Sequence, residues 1–221
     1  MIPEEEILLI DKPAGMTSFG VVARVRRVLS QKAGKKVKVG HTGTLDPFAT
    51  GLLILMIGKG TKRCAEFLKH DKWYEATLEL GKVSSTGDPE GIVEVYQTEI
   101  PEPTLSTIQE TAASFIGVID QQVPKFSAVK IDGKRAYDLA RKGVDVEMPV
   151  KKVEIYQLDI LDYSYPILKI RCHVSSGTYI RALAEDIGKK LGTGAYLTAL
   201  RRTKIADYRV EDAVKLDEFI S

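Results

Sequence analysis

The chain has 221 residues, enough for one large domain or two small ones with a sizeable buried core. Its 44% apolar and 28% charged residues, at a net charge of +2, are an ordinary soluble balance, and the longest apolar run, Leu52 to Ile57, is far below the roughly 20 residues that span a bilayer. The opening MIPEEEILLIDKP has no basic n-region or cleavage site, and Cys64 and Cys172 show no C-x-x-C spacing, which together predict a cytoplasmic protein with reduced thiols.

In chain order, Ile7 to Ile10 reads as a short buried strand ended by Lys12-Pro13-Ala14-Gly15. Thr17 or Ser18 can cap a helix whose apolar residues Val21, Val22, Val25, Val28 and Leu29 recur at helical spacing, with Arg24 and Arg27 on its other face. Gln31 to Lys38 is a polar, basic connector. Gly51 to Ile57 reads as a buried strand and Thr61 to Leu68 as a helix. Trp73 to Leu80 alternates through Tyr74, Ala76, Leu78 and Leu80 like a half-buried strand. The turn-rich loop Val83 to Gly91 leads into a strand from Ile92 to Val95. Pro101 and Pro103 precede a helix from about Leu105 to Ile116. Strand signals follow near Phe126 to Ile131, then a helix near Arg135 to Lys142 stopped by Gly143. Val153 to Leu161 and Ile167 to Val174 read as two long antiparallel strands joined at Tyr163-Ser164-Tyr165-Pro166. Thr178 caps a helix to about Leu191, and a last strand, Ile205 to Val210, leads to a short C-terminal helix. Paired strands with helices between them predict an α+β fold on a mainly antiparallel, mixed central sheet.

The charges are segregated. From Lys12 to Leu45 there are eight Lys/Arg (Lys12, Arg24, Arg26, Arg27, Lys32, Lys35, Lys36, Lys38) and no acid. From Ile187 to Ala206 there are five more (Lys189, Lys190, Arg201, Arg202, Lys204), again without an acid. Trp73 to Asp120 carries nine Asp/Glu against Lys82 alone. If the two basic segments meet, they form a phosphate-attracting face; separate solvated faces are the other reading.

The densest candidate for chemistry is Gly40-His41-Thr42-Gly43-Thr44-Leu45-Asp46-Pro47-Phe48-Ala49-Thr50-Gly51-Leu52-Leu53, a tightly turned loop before a buried strand. Asp46 is its one carboxylate. It can serve chemistry, or only open a type I turn with Pro47 at the second position. His41, His70 and His173 are remote from one another and none has metal-ligand spacing. Gly58-Lys59-Gly60-Thr61 lacks the order of a phosphate loop, and neither G-x-G-x-x-G nor G-x-S-x-G is present. Cofactor-free, metal-free chemistry is the expectation.

These residues resemble the opening of the TruB family of tRNA pseudouridine synthases: Lys12-Pro13-Ala14-Gly15-Met16-Thr17-Ser18, then the Gly40 to Leu53 loop. Further blocks match in order: Lys72-Trp73-Tyr74-Glu75-Ala76; Val123-Pro124-Lys125-Phe126-Ser127-Ala128-Val129-Lys130 with Gly133, Ala136-Tyr137 and Ala140-Arg141-Lys142-Gly143; Ser175-Ser176-Gly177-Thr178-Tyr179-Ile180-Arg181; and Gly194-Ala195-Tyr196-Leu197-Thr198-Ala199-Leu200-Arg201-Arg202-Thr203. The resemblance spans residues 6 to 218, and the combination is far more specific than any one block.

The resemblance implies a pseudouridine synthase fold over residues 1–221 as one catalytic domain, monomeric, acting without a cofactor on uridine-55 in the T-arm stem-loop of tRNA. It assigns the catalytic carboxylate to Asp46, as nucleophile or as base. Tyr74 matches the tyrosine that stacks on the flipped base, and Arg181 the arginine that pairs with the aspartate; a surface i,i+4 pair with Glu185 is the plainer alternative for Arg181. Substrate-binding positions map onto His41, which helps hold the nucleotide out of its loop, and onto Tyr179, Ile180 and Leu200, which line the uracil pocket. Lys12 matches a residue packed beside the loop, in a supporting role. With Leu216 to Ser221 as the last residues, the resemblance implies a member lacking the PUA-type RNA-binding domain that many members carry. Two rival readings are a guide-RNA-dependent pseudouridine synthase and a non-catalytic RNA-binding or RNA-folding module of the same fold.

Overall fold

The structure, a computed structural model, describes residues 7–97, 102–131, 133–144 and 146–220. It divides into two compact units, Met1–Glu75 with Leu200–Ser221, and Ala76–Ala199. Two strands, Lys72–Leu80 and Ala195–Ile205, begin in one unit and end in the other.

The first unit is organised by the strand Thr50–Ile57, buried from Gly51 onward. Leu53, Leu55 and Ile57 join Ile10, Val21, Val22, Val25 and Leu29 on one side. Leu52, Ile54 and Met56 join Phe67, Ile205 and Val210 on the other. A strand covered on both faces has no polar side to alternate with, which is why GLLILMI is continuously apolar. Across this part the strand order is Val214–Lys215, Ile7–Lys12, Thr50–Ile57, Ala195–Ile205. Ile7–Lys12 runs antiparallel to Thr50–Ile57, from Ile7 opposite Met56 to Lys12 opposite Gly51. Ala195–Ile205 is parallel to it, with Arg202 opposite Gly51. Val39–His41 adds a short antiparallel ladder that delivers the chain into the Gly43–Asp46 loop.

The helix Ser18–Ala33 starts where expected. The Thr17 hydroxyl accepts the Gly20 N–H at its N-terminus, and Gly34, in the left-handed region at φ 62°, ends it. Val21, Val22, Val25 and Leu29 enter the core while Arg24 and Arg27 are exposed.

In the second unit, Lys72–Leu80 is followed by Ile167–Val174, Val150–Ser164 and Gly117–Gln122. Val150–Ser164 is antiparallel to both of its neighbours. The helices Leu105–Ala113, Ala136–Arg141 and Ile180–Leu191 belong to this unit. Lys72–Leu80 shows the expected alternation, with Tyr74, Ala76, Leu78 and Leu80 buried. The fold is α+β, with the sheet mixed through its parallel pairs and otherwise antiparallel.

Several expected elements differ. Strand signals at 126–131 reduce to Lys130–Ile131, paired with Lys134–Arg135. The strand that forms is the preceding Gly117–Gln122, whose buried residue is the polar Gln121, so no inward apolar alternation marks it in the sequence. Ala195–Ile205 is an eleven-residue strand, where the sequence suggests one only from Ile205. Its cationic pair Arg201-Arg202 hides the alternation. The segment after Ile57 begins as a 3-10 helix, Gly58–Arg63, before the α-helix Cys64–Leu68. Ser164 ends a strand rather than joining a turn, and the Thr178 hydroxyl donates to Ser175 O at 2.9 Å instead of capping the helix, which starts after Tyr179. Among the described residues, no helix is long and apolar enough to cross a membrane.

Candidate active site

In the first unit, Asp46 opens the turn read from its sequence: its carbonyl accepts the Ala49 N–H at 3.1 Å, with Pro47 second. Both flanks of that turn are fastened from below. The Ser18 hydroxyl donates to Leu45 O at 3.0 Å and accepts the Leu45 N–H at 2.8 Å. Pro47 O accepts the Gly15 N–H at 2.8 Å and the Lys12 ammonium at 3.1 Å. Lys12 is fully buried and also donates to Pro13 O at 2.8 Å and Met16 O at 2.6 Å. A buried ammonium is costly unless its protons are all placed, and three carbonyls place them here. Lys12 thus lies beneath the loop as a support for the Asp46-Pro47 backbone. The half-buried Asp46 side chain rises from a backbone held on each side.

Arg202 fastens the other arm of the loop. Its guanidinium donates to Leu52 O at 2.8 Å, Gly43 O at 3.1 Å and Thr44 O at 3.4 Å, and only 1% of the residue is exposed. This corrects its placement among the phosphate-facing cations: burial makes it an internal clamp. Arg201 next to it is committed to Asp11 through two bonds, at 3.1 and 2.8 Å. Two successive arginines on one strand point to opposite faces, and the sequence alone does not say which is inside.

The Arg202 charge acts on two neighbours. His41 is held below its ordinary pKa by burial and then by Arg202, so it is neutral at pH 7. Its Nδ1 accepts the Gly43 N–H at 3.3 Å, which puts the ring proton on Nε2. Lys72, buried and donating to Leu68 O and His70 O, is pushed down to about 8 by burial and then by Arg202. Between that value and 10.5 the unfolded chain holds the extra proton, so folding stability gains with rising pH. Denaturant midpoints at about pH 8 and about pH 10 are expected to move upward for wild type relative to Lys72→Met, whose curve lacks this titration.

Of the remaining first-unit positions, Tyr74 is 6% and Leu200 7% exposed. In the second unit, Tyr179 and Ile180 precede Arg181 at the start of the helix Ile180–Leu191. The buried Gln121 amide grips Tyr179 by both backbone groups, donating to its carbonyl at 3.1 Å and accepting its N–H at 2.8 Å. This pair of hydrogen bonds to one residue fixes the entry to the helix, and Gln121 is a positioning group that the motifs do not reveal.

Arg181 is 4% exposed, which removes the surface-pair alternative. It donates to Thr86 O and Phe126 O, each at 2.8 Å, and lies 3.4 Å from the Asp88 carboxylate. Asp88 is itself buried and accepts from the Thr86 hydroxyl at 2.6 Å and the Glu90 N–H at 3.0 Å. In the sequence Asp88 is only one acid of the acidic Trp73 to Asp120 stretch. Its signal was the turn Gly87-Asp88-Pro89, which the sequence alone gives no reason to pair with Arg181. Among the described residues, no group of three or more His, Cys, Asp or Glu could hold a metal ion.

Comparison with known proteins adds three observations. A family model described as "TruB family pseudouridylate synthase (N terminal domain)" matches residues 26–180, and one described as "tRNA pseudouridylate synthase B C-terminal domain" matches residues 181–221. A tRNA pseudouridine synthase B of Phocaeicola vulgatus is 50% identical over 218 residues, covering 98% of this chain and 92% of that protein. One of the same name from Corynebacterium glutamicum is 44% identical over 98% of this chain and 72% of its own length. Among solved structures, a chain of a Cbf5-Nop10-Gar1 complex superposes with a TM-score of 0.74 at 27% identity, over 97% of this chain. This chain spans about half, 53%, of that one.

Proposed function

This chain belongs to the TruB family of pseudouridylate synthases, and from that premise we propose that it isomerises uridine-55 in the T-arm of tRNA to pseudouridine, with Asp46 as nucleophile or base. The observation that carries the reading is the Asp46 loop: one carboxylate on a backbone fastened by Lys12, Ser18 and Arg202. Such pre-set geometry is what a reacting group needs and what an ordinary surface turn does not.

The reaction breaks the bond from ribose C1′ to uracil N1 and makes one from C1′ to C5. C5 gives up its proton and N1 takes one, so no atom is gained or lost and no redox partner is needed. The target base must first leave its stack. In this reading Tyr74 stacks on the flipped base, neutral His41 helps hold it out, and Tyr179, Ile180 and Leu200 line the uracil pocket. Arg181 supplies the guanidinium that favours an ionised Asp46. Exposed Arg24, Arg27, Lys32, Lys35, Lys36 and Lys38 meet phosphates, giving affinity rather than base identity. Residues 1–221 act as one catalytic domain, as a monomer in the cytoplasm.

The guide-RNA-dependent reading is the weaker one. Identity to proteins named tRNA pseudouridine synthase B reaches 50%, against 27% for the Cbf5 chain. The test is release of tritium from 5-tritiated uridine in a T-arm stem-loop, with this chain as the only macromolecule added. Release without a guide RNA or protein partner is the expected result. Release that appears only with a guide RNA would transfer the assignment to the rival, and binding without release would favour the non-catalytic module.

A further inference from the structure

A cavity of about 530 Å³ opens in the second unit beside the Arg181 anchor. Its walls include Thr86 and Phe126, the two residues whose carbonyls hold Arg181, together with Lys125, Glu147, Ala182 and Glu185. Glu185 lies one helical turn beyond Arg181, on the same face. Both side chains border the space beside Gly87, which has φ +74°. A Cβ built there would stand 2.3 Å from Glu185 Oε1 and 3.3 Å from Arg181 Cβ. The next residue, Asp88, is the one whose carboxylate faces Arg181. Of these three ionisable groups, Glu185 is the one that lines the cavity.

We propose that Glu185 is a positioning residue for the isomerisation, setting through its carboxyl how much of the Arg181 charge is left for the reacting carboxylate. The proposal rests on the reading of Asp46 and Arg181 given above. With Glu185 protonated, Arg181 and Asp88 sum to zero; once it ionises, the trio carries one negative charge and Arg181 is shared between two acids. The groups that face Glu185 are Arg181 and Asp186 on its own helix, Asp88 from the 84–91 loop, and Lys125 and Glu147 from the other cavity walls. Burial of its carboxyl raises its pKa to about 7, with Arg181 opposing the rise and Asp186 and Asp88 adding to it. Its ionisation thus falls within the working range of pH.

The test is the pH profile of single-turnover pseudouridine formation. Wild type is expected to slow about fivefold as pH rises from about 6 to about 8, the low end of usual coupling. KM should hardly move, because Glu185 does not touch RNA in this scheme. Glu185→Gln should remain at the faster rate with a flat profile, and Glu185→Asp should restore an inflection. An inflection of the same size and position in Glu185→Gln would overturn the proposal. So would a Glu185 carboxyl carbon that titrates in the ordinary glutamate range, by NMR of the wild-type protein labelled with 13C-glutamate. The NMR arm stands even if Glu185→Gln does not fold. A wild type that makes no pseudouridine at any pH would instead count against the assignment of the reaction itself.

Discussion

Asp46→Asn is expected to bind a T-arm stem-loop within about twofold of wild type, since affinity comes from phosphate contacts, while pseudouridine formation falls by at least about a thousandfold, the loss typical of removing a reacting acid–base group. Asparagine keeps the size of the side chain and is equally suited to the first position of a turn. The bonds that fasten the loop, from Ser18 to Leu45 and from Lys12 and Gly15 to Pro47, all end on backbone atoms and survive the change. A drop in rate therefore reports the lost charge and not a collapsed loop. Filter binding and single-turnover assays on the same preparation separate the two. Equal rates for both proteins would remove Asp46 from the chemistry.

The second large effect is structural. Gly51→Ala is expected to prevent accumulation of folded protein, a loss above about 4 kcal/mol of the kind tied to a backbone clash. A Cβ at Gly51 would stand 2.3 Å from Arg202 O and 2.8 Å from Arg202 N, at φ +104°. Those atoms are main chain, held in register with Gly51 in the parallel ladder. They cannot yield without shifting Arg202, and Arg202 holds Gly43 and Thr44 in the catalytic loop. Gly15→Ala is the matching control. Gly15 is also left-handed, at φ +77°, but has no heavy atom within 4 Å of its would-be Cβ. It should lose only the backbone strain, about 1–2 kcal/mol. Thermal melts of the two variants decide the comparison, and a Gly51→Ala protein that melts like Gly15→Ala would contradict it.

How far the sequence could be read depended on what each residue signals locally. The helix Ser18–Ala33 was legible because its cap, its spacing and its terminal glycine agree. So was the doubly buried strand Thr50–Ile57, as an apolar run bounded by glycines. Gly117–Gln122 was not, because its buried residue is Gln121, whose purpose is to hold the Tyr179 backbone 58 positions away. The loop around Asp46 was visible as a concentration of turn residues. Its fastening was not, since Lys12 and Arg202 look like surface cations until burial shows them inside. Asp88 illustrates the same limit: an acid in an acidic stretch turns out to face a buried arginine, Arg181. Short-range periodicity and turn chemistry are written in neighbouring residues. Long-range partners are written only in the fold.

The most direct measurement is carbodiimide mapping of pseudouridine, at single-nucleotide resolution, on an unmodified full-length tRNA transcript treated with this chain alone. The account predicts one new pseudouridine, at position 55 in the T-loop, and none with Asp46→Asn. No modification by wild type, modification scattered over other uridines, or an unchanged signal with Asp46→Asn would contradict it.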